Sequence, residues 1–158
     1  MSNKVVWITK NGVLAAIYVV LTLVFAPLSF GAVQFRVSEL LMMVPFFNKK
    51  WIPGLAIGCA IANMNSPLGV IDIVFGTLGT LVSAYLITKF KNIYVAALIP
   101  SVLNGLFVGT QLWLIFQAPL FATMVYVSLG ELVVVMISSK ILLEVSKNVR
   151  VKKHLYGE

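Results

Sequence analysis

Charged residues are scarce in this chain of 158 residues, and their scarcity excludes an ordinary soluble domain. Asp, Glu, Lys and Arg make up 11% of the residues, apolar residues make up 60%, and the mean hydropathy is +1.01. The chain has five acidic residues, one histidine and one cysteine. Because Cys59 is alone, an internal disulfide is impossible, and we expect it to pack as a small apolar side chain.

The sequence motifs of common enzyme classes are also missing. No G-x-x-x-x-G-K-[ST] phosphate loop occurs, so we expect this chain to hydrolyse no nucleotide. No His/Cys metal constellation and no nucleophile–base pair is visible. The sequence therefore predicts a protein that is not an enzyme, needs no cofactor and depends on another protein for energy.

Positive charge is present, but it is confined to short clusters that separate long apolar runs. Basic residues next to membrane spans favour the cytoplasmic side, so we predict a multi-pass protein of the cell membrane with both termini in the cytoplasm. Charge at helix ends, instead of along one face, argues against a nucleic-acid partner and for contact with membrane lipid. The clusters are Lys4 with Lys10, Lys49 with Lys50, Lys89 with Lys91, Lys140, and a tail with Lys147, Arg150, Lys152 and Lys153.

The apolar runs predict an all-α, polytopic membrane protein with six transmembrane helices in one domain, 1–158. A full crossing takes about 20 residues, so the second run is short and must be tilted, shielded or extended by an ordered loop. Residues 29–35 are expected to form a loop. The helices are expected at about 10–28, 36–47, 51–65, 68–88, 93–116 and 119–142.

Small residues recur at a spacing of four in three of the predicted helices. In lipid, such rows allow two helices to approach closely. We predict that the rows in the third and fourth helices pack within this chain, whereas the row in the first helix could face another protein. The rows are Gly12 and Ala16, then Gly54, Gly58 and Ala62, then Gly76, Thr80 and Ala84.

Polar side chains within the apolar runs fall in the predicted outer half of the bundle or near its middle. Carboxylates inside a membrane are unfavourable and usually mark a functional site. A channel would need a polar lining along its whole length, so we expect a cup that is open outside and closed toward the cytoplasm. The residues are Glu39, Asn63, Asp72, Asn104, Gln111 and Glu131.

Ion pairing offers a structural explanation for part of this set. Arg36 and Glu39 are three residues apart and are expected to pair. Asp72 and Glu131 then have no cation at their depth, although Asp72 could instead sit as a charge at the start of its helix. Glu131 has no such alternative and is the strongest candidate for ligand binding. Three aromatic residues could stack a planar ligand or simply pack: Phe35, Phe75 and Trp113.

Five segments together resemble the QueT transporter family, and the resemblance extends over about residues 10–145. It implies a substrate-binding S component of an energy-coupling factor (ECF) transporter, which works with a transmembrane coupling protein and two cytoplasmic ATPases. The implied substrate is a queuosine precursor, a 7-deazaguanine such as 7-aminomethyl-7-deazaguanine, or queuine. The segments are QFRVSE at 34–39, PGLAIGCAIAN at 53–63, DIVFGTLGTL at 72–81, NGLFVG at 104–109 and GELVV at 130–134.

The resemblance also implies residue roles. In such S components a row of small residues on the first helix contacts the coupling protein, and Gly12 and Ala16 match that row. Glu131 and Asp72 are expected to bind the base edge and the alkylamine of the ligand, in an order left open. An S component for another vitamin-like nutrient, an intramembrane enzyme and a passive pore are the alternatives. The expected substrate-binding residues are Glu131, Asp72, Asn104, Asn63, Gln111, Glu39, Phe35 and Trp113.

Overall fold

The computed structural model describes residues 2–30 and 35–157, and the regular structure within them is helical. Part of the loop expected at 29–35, including Gln34, lies outside the described residues. The α-helices of the described chain are α1 (Asn3–Val24), α2 (Ala26–Ser29), α3 (Ile52–Asn63), α4 (Val70–Ile87), α5 (Ile93–Ala96), α6 (Leu98–Phe116), α7 (Leu120–Ser146) and α8 (Val149–Tyr156). Short 3₁₀ helices occupy Val37–Leu41, Val44–Phe46 and Lys49–Trp51.

Four segments of the described chain are long and apolar enough to cross a membrane, where six spans were expected. Helix α3 has 12 residues, which gives about 18 Å at a rise of 1.5 Å per residue, against a hydrocarbon core of about 30 Å. It therefore falls short of a full crossing by length. The four segments are Lys4–Val24, Val70–Ile87, Ile93–Phe116 and Leu120–Ser146.

The segment expected as the second span, at about 36–47, is not one α-helix. It forms the 3₁₀ helices Val37–Leu41 and Val44–Phe46. Pro45 has no main-chain N–H and disfavours the α conformation in the residue before it, so a continuous α-helix is interrupted there. Irregular backbone at membrane depth is tolerated where protein surrounds it, and this segment packs between α1 and α7.

The long helices pack side by side in a closed order. Helix α1 packs on α3, α3 on α4, α4 on α6, and α6 on α7, and the buried 3₁₀ segment 37–46 completes the ring between α7 and α1. Most neighbours in this order are close in sequence, but the contact that closes the ring is long-range, since Ser138 Oγ on α7 donates to the main-chain oxygen of Leu40.

One end of the bundle carries the lysine-bearing turns, and we call it the basic end. The main-chain oxygen of Lys50 accepts hydrogen bonds from Trp7 Nε1 at 3.2 Å and from Asn11 Nδ2 at 3.0 Å. Helix α8 returns to the same end, where Trp51 Nε1 donates to the oxygen of Leu155 at 2.9 Å. The interior beside this end is an apolar core whose buried members include Met43, Phe47, Leu55, Ile87, Ile93, Ala96, Val135 and Leu155.

Glycines allow α3 to lie directly against α1. A Cβ atom on Gly54 would come within 2.8 Å of the Asn11 main-chain oxygen, and one on Gly58 within 2.9 Å of Tyr18 Cβ. Asn11 Oδ1 also accepts from the Gly54 N–H at 2.8 Å, which satisfies a main-chain donor near the start of α3. The prediction that the row of Gly54, Gly58 and Ala62 packs within the chain is confirmed.

The row on α4 also faces inward, whereas the row on α1 does not. A Cβ atom on Gly76 would come within 2.5 Å of Asn63 Nδ2 on α3, and Thr80 Oγ1 donates to Cys59 Sγ at 3.2 Å. By contrast, nothing lies within 4 Å of a Cβ built on Gly12. Gly12 and Ala16 are exposed, so the row on α1 lies on the outer surface of the bundle.

Replacing Gly58 by Ala should destabilise the protein. The added methyl group would overlap Tyr18 and Ala15, and overpacking of this kind costs about 1–3 kcal/mol. Thermal unfolding of the purified protein in detergent measures the effect as a lower midpoint temperature. Gly12→Ala is the matched control and should leave the midpoint unchanged or raise it, since Ala favours helix. Equal loss in both variants would contradict the close packing of α1 on α3.

Candidate functional site

Polar side chains from five helices and the 3₁₀ segment meet in the half of the bundle away from the basic end. Each of these side chains is at most 6% exposed. Side chains of this kind are rarely buried without partners, so their contacts indicate what the site can hold. We call the following residues the polar cluster: Tyr18, Arg36, Glu39, Asn63, Asp72, Gln111 and Glu131.

A buried ion pair fixes one side of the polar cluster. One guanidinium nitrogen of Arg36, Nη2, lies 2.9 and 3.2 Å from the two carboxylate oxygens of Asp72. The expected pairing of Arg36 with Glu39 is therefore wrong, and so is the expectation that Asp72 lacks a cation. Arg36 has an extended backbone and precedes the 3₁₀ helix, so the side-chain neighbours of an α-helix do not apply to it.

Glu39 instead accepts a hydrogen bond from a side chain of α1. Tyr18 Oη donates a hydrogen bond to Glu39 Oε1. Thr22 Oγ1 donates to the main-chain oxygen of Tyr18 at 2.9 Å, so Ser38 Oγ is the donor in its 2.8 Å contact with Thr22 Oγ1. Tyr18 is not among the site residues predicted from the sequence. The spacing does indicate it, because Asn11, Tyr18 and Thr22 are seven and four residues apart and thus share one face of the helix.

Two amide side chains have orientations fixed by main-chain carbonyl groups. Asn63 Nδ2 donates to the oxygen of Asp72 at 3.0 Å, and Gln111 Nε2 donates to the oxygen of Ile71 at 3.1 Å. A carbonyl can only accept, so the nitrogen of each amide must face it. The amide oxygens therefore point away from these carbonyls and remain available as acceptors.

Four buried oxygen atoms of the polar cluster have no hydrogen-bond partner among the described residues. They are Glu39 Oε2, Asn63 Oδ1, Gln111 Oε1 and Glu131 Oε1. All four are acceptors, and a buried acceptor without a donor is unfavourable by about 1–3 kcal/mol. The arrangement suits a small molecule that carries several N–H groups.

Glu131 lies among these open acceptors without a cation of its own. It is 4% exposed, and the polar groups near its carboxylate are Asn104, Glu39 and Arg36. Within residues 2–30 and 35–157, its carboxylate takes part in no ion pair. Two carboxylates that share a site favour a ligand with positive charge.

The expected aromatic residues are distributed differently from the polar ones. Phe35 is half-buried beside Arg36, whereas Trp113 is 42% exposed and Phe75 is 40% exposed. Trp113 follows Gln111 by two residues on α6, so when Gln111 faces the interior Trp113 faces outward. The structure therefore does not bring Trp113, an expected substrate-binding residue, into the polar cluster, and Phe75, for which stacking or simple packing was left open, also lies outside it.

Two openings described in the structure lie elsewhere. Both are at the basic end, beside α1 and α8, with volumes of about 370 and 570 Å³, and none of the expected substrate-binding residues lines them. Among the described residues, no group of three or more His, Cys, Asp or Glu side chains could hold a metal ion. The polar cluster is thus distinct from these two openings, and its side chains are buried.

Comparison with known proteins yields one family and one named relative. The family described as QueT transporter matches residues 8–148. The chain is 41% identical over 98 residues to a protein of Lactococcus lactis subsp. cremoris (strain MG1363) named "Queuosine precursor transporter QueT". That match covers 58% of this chain and 57% of the relative, so the chain spans little more than half the length of that relative. No solved structure matches the chain.

Replacing Arg36 by Gln should destabilise the fold strongly, because it leaves Asp72 buried and unpaired. Breaking a buried pair from one side costs about 3–5 kcal/mol. The measurement is thermal unfolding in detergent. The double variant Arg36→Gln with Asp72→Asn should recover part of the loss, since it removes the uncompensated charge.

The matched control for this ion pair is Lys147→Gln. It breaks an exposed pair with Glu144, whose two side chains are 71% and 62% exposed, and exposed pairs contribute little to stability. A similar midpoint shift in Lys147→Gln and Arg36→Gln, or no recovery in the double variant, would contradict a structural role for the buried pair.

Proposed function

The chain belongs to the QueT transporter family, and on that premise we propose that it is the substrate-binding S component of an ECF-type importer for a queuosine precursor. It is a multi-pass membrane protein with several apolar helices long enough to span a membrane. The observation that carries the proposal is the set of four buried oxygen acceptors in the polar cluster.

The chemistry of a 7-deazaguanine complements these acceptors. Its guanine-like edge offers an N1–H and a 2-amino group, and its pyrrole ring offers a further N–H. In 7-aminomethyl-7-deazaguanine the alkylamine adds a cation. A carboxylate can accept two parallel N–H bonds from the base edge, and charge-assisted bonds of this kind are stronger than neutral ones.

The two free carboxylate oxygens suggest how the ligand is held. Asp72 already binds Arg36, so we assign the ligand to Glu131 and Glu39 in place of the expected pair Glu131 and Asp72. One of them accepts from the base edge and the other neutralises the alkylamine. The free oxygens of Asn63 and Gln111 accept the remaining ring donors.

The position of the polar cluster supports a receptor more than a pore. The cluster lies away from the basic end, and the interior beside the basic end is filled by apolar side chains. A conducting path would need polar groups along its length. If the basic end is cytoplasmic, as the distribution of lysines predicts, the site is loaded from outside.

Transport then requires energy from a partner. The small residues Gly12 and Ala16 are exposed on α1, and a row of small residues on a membrane helix allows another helix to approach closely. We propose that this row docks on the transmembrane coupling protein of an ECF complex, and that two cytoplasmic ATPases drive release of the ligand.

Replacing Glu131 by Gln should weaken binding of 7-aminomethyl-7-deazaguanine by about tenfold or more, because the neutral amide loses the charge-assisted acceptor. Titration of the purified protein in detergent measures the affinity. Free queuine and unrelated vitamins form the comparison set, and they separate a queuosine-precursor carrier from a carrier of another nutrient. Glu144→Gln, an exposed acid on α7, is the control. Unchanged affinity in Glu131→Gln would defeat the assignment.

Replacing Ala16 by Trp should impair uptake while ligand binding is retained. The large ring would block close approach of a partner helix to α1 without touching the polar cluster. Uptake by cells and co-purification of the coupling protein and ATPases are measured beside detergent binding. Val133→Trp changes an exposed residue of α7 and should leave uptake intact. Equal loss of uptake and binding in Ala16→Trp would mean that the row serves the fold alone.

A further inference from the structure

Two adjoining openings at the basic end differ in chemistry but share part of their walls. The smaller, of about 370 Å³, is lined by polar and aromatic side chains, and the larger, of about 570 Å³, is almost entirely apolar. Both are bordered by Lys10, Trp51 and His154. A polar pocket that continues into an apolar groove is the shape of a site for an amphiphile.

The smaller opening, which we call the basic pocket, is suited to an anion. The cationic or ionisable side chains that line it are Lys10, Lys50 and His154. No Asp or Glu of the described chain lines either opening. Ion pairs of the described residues lie elsewhere, at Arg36–Asp72 and Glu144–Lys147, so the lysine ammonium groups at this pocket are not neutralised by a carboxylate of that part of the chain.

The larger opening, which we call the apolar groove, runs along the outer face of α1. Val13 and Ile17 line it, and they are 54% and 44% exposed. Val44 and Leu155 close its other side. A groove with exposed aliphatic side chains at membrane depth is matched by a hydrocarbon chain, because both surfaces are apolar.

We propose that the basic pocket and the apolar groove together bind one anionic phospholipid, with its phosphate at Lys10 and Lys50 and an acyl chain along Val13 and Ile17. Basic pockets between membrane helices on the cytoplasmic side bind anionic headgroups in this way. Charge complementarity selects the headgroup, and continuity with the groove selects a lipid over a free anion.

The lipid site is separate from the row proposed to contact the coupling protein. Val13 follows Gly12, and Ile17 follows Ala16, so the two rows are turned about 100° from each other around α1. A lipid in the groove would therefore lie beside a partner helix that packs on Gly12 and Ala16, and it would not block that helix. The proposal does not depend on the identity of the transported molecule.

The test is native mass spectrometry of the full chain in detergent, titrated with palmitoyl-oleoyl phosphatidylglycerol or with phosphatidylcholine of the same chains. We expect one phosphatidylglycerol per protein, with clear preference over phosphatidylcholine. The double variant Lys10→Gln with Lys50→Gln should bind it about 30-fold more weakly, as expected for two lysines at an anionic membrane surface. The control is Lys91→Gln with Lys140→Gln, which removes the same charge from exposed positions and should bind as the original chain does.

A second pair of variants tests the groove. Ile17→Trp fills the apolar groove and should weaken phosphatidylglycerol binding, whereas Val133→Trp on α7 should not. Equal binding of the two phospholipids, or unchanged binding in the Lys10 and Lys50 double variant, would overturn the proposal. Full displacement of the lipid by inorganic phosphate, together with unchanged binding in Ile17→Trp, would overturn it in favour of a free-phosphate site.

Discussion

The ion pair between Arg36 and Asp72 is the interaction on which the rest of the site depends. Arg36 sits just before the buried 3₁₀ segment, and Asp72 sits in the first turn of α4, so the pair ties an irregular stretch of backbone to a spanning helix. Two charges in a low-dielectric interior are tolerated only when they are paired and well oriented. The pair holds the 3₁₀ segment in place, and one carboxylate oxygen each of Glu39 and Glu131 has no hydrogen-bond partner among the described residues.

The polar cluster combines fixed donors with free acceptors. The side-chain amides of Asn63 and Gln111 are each fixed in one orientation by a hydrogen bond to a main-chain carbonyl. Tyr18 donates a hydrogen bond to one carboxylate oxygen of Glu39. The oxygens left over are acceptors without a partner among the described residues. For the ligand proposed above, side chains already held in one orientation would lose little conformational freedom on binding.

The two ends of the bundle have different interiors and different proposed ligands. Away from the basic end, buried carboxylates and amides form the site that we propose for a polar, cationic molecule. At the basic end, the interior is apolar and the lysines lie outside it, around a pocket that fits an anion. This separation of charge along one axis is consistent with a carrier subunit that takes a ligand from one side and meets its energising partners on the other. The exposed row on α1 supplies a surface for such a partner.

The sequence by itself determined the helical class, the four longest apolar segments, and most of the residues of the polar cluster, because hydropathy over 20 residues and isolated polar groups in apolar runs are local properties. It also predicted that Gly54 and Gly58 pack against another helix, since small residues at a spacing of four allow close approach in lipid, although the same spacing in Gly12 and Ala16 faces outward. It could not predict the partner of Arg36 or the role of Tyr18. Tyr18 and Glu39 are 21 positions apart, and Arg36 and Asp72 are 36 positions apart. Both contacts involve the 3₁₀ segment or the residue before it, where the periodicity of an α-helix does not predict which way a side chain points. Only the tertiary structure decided which carboxylate is neutralised and which stays free, because that choice depends on distances between separate helices.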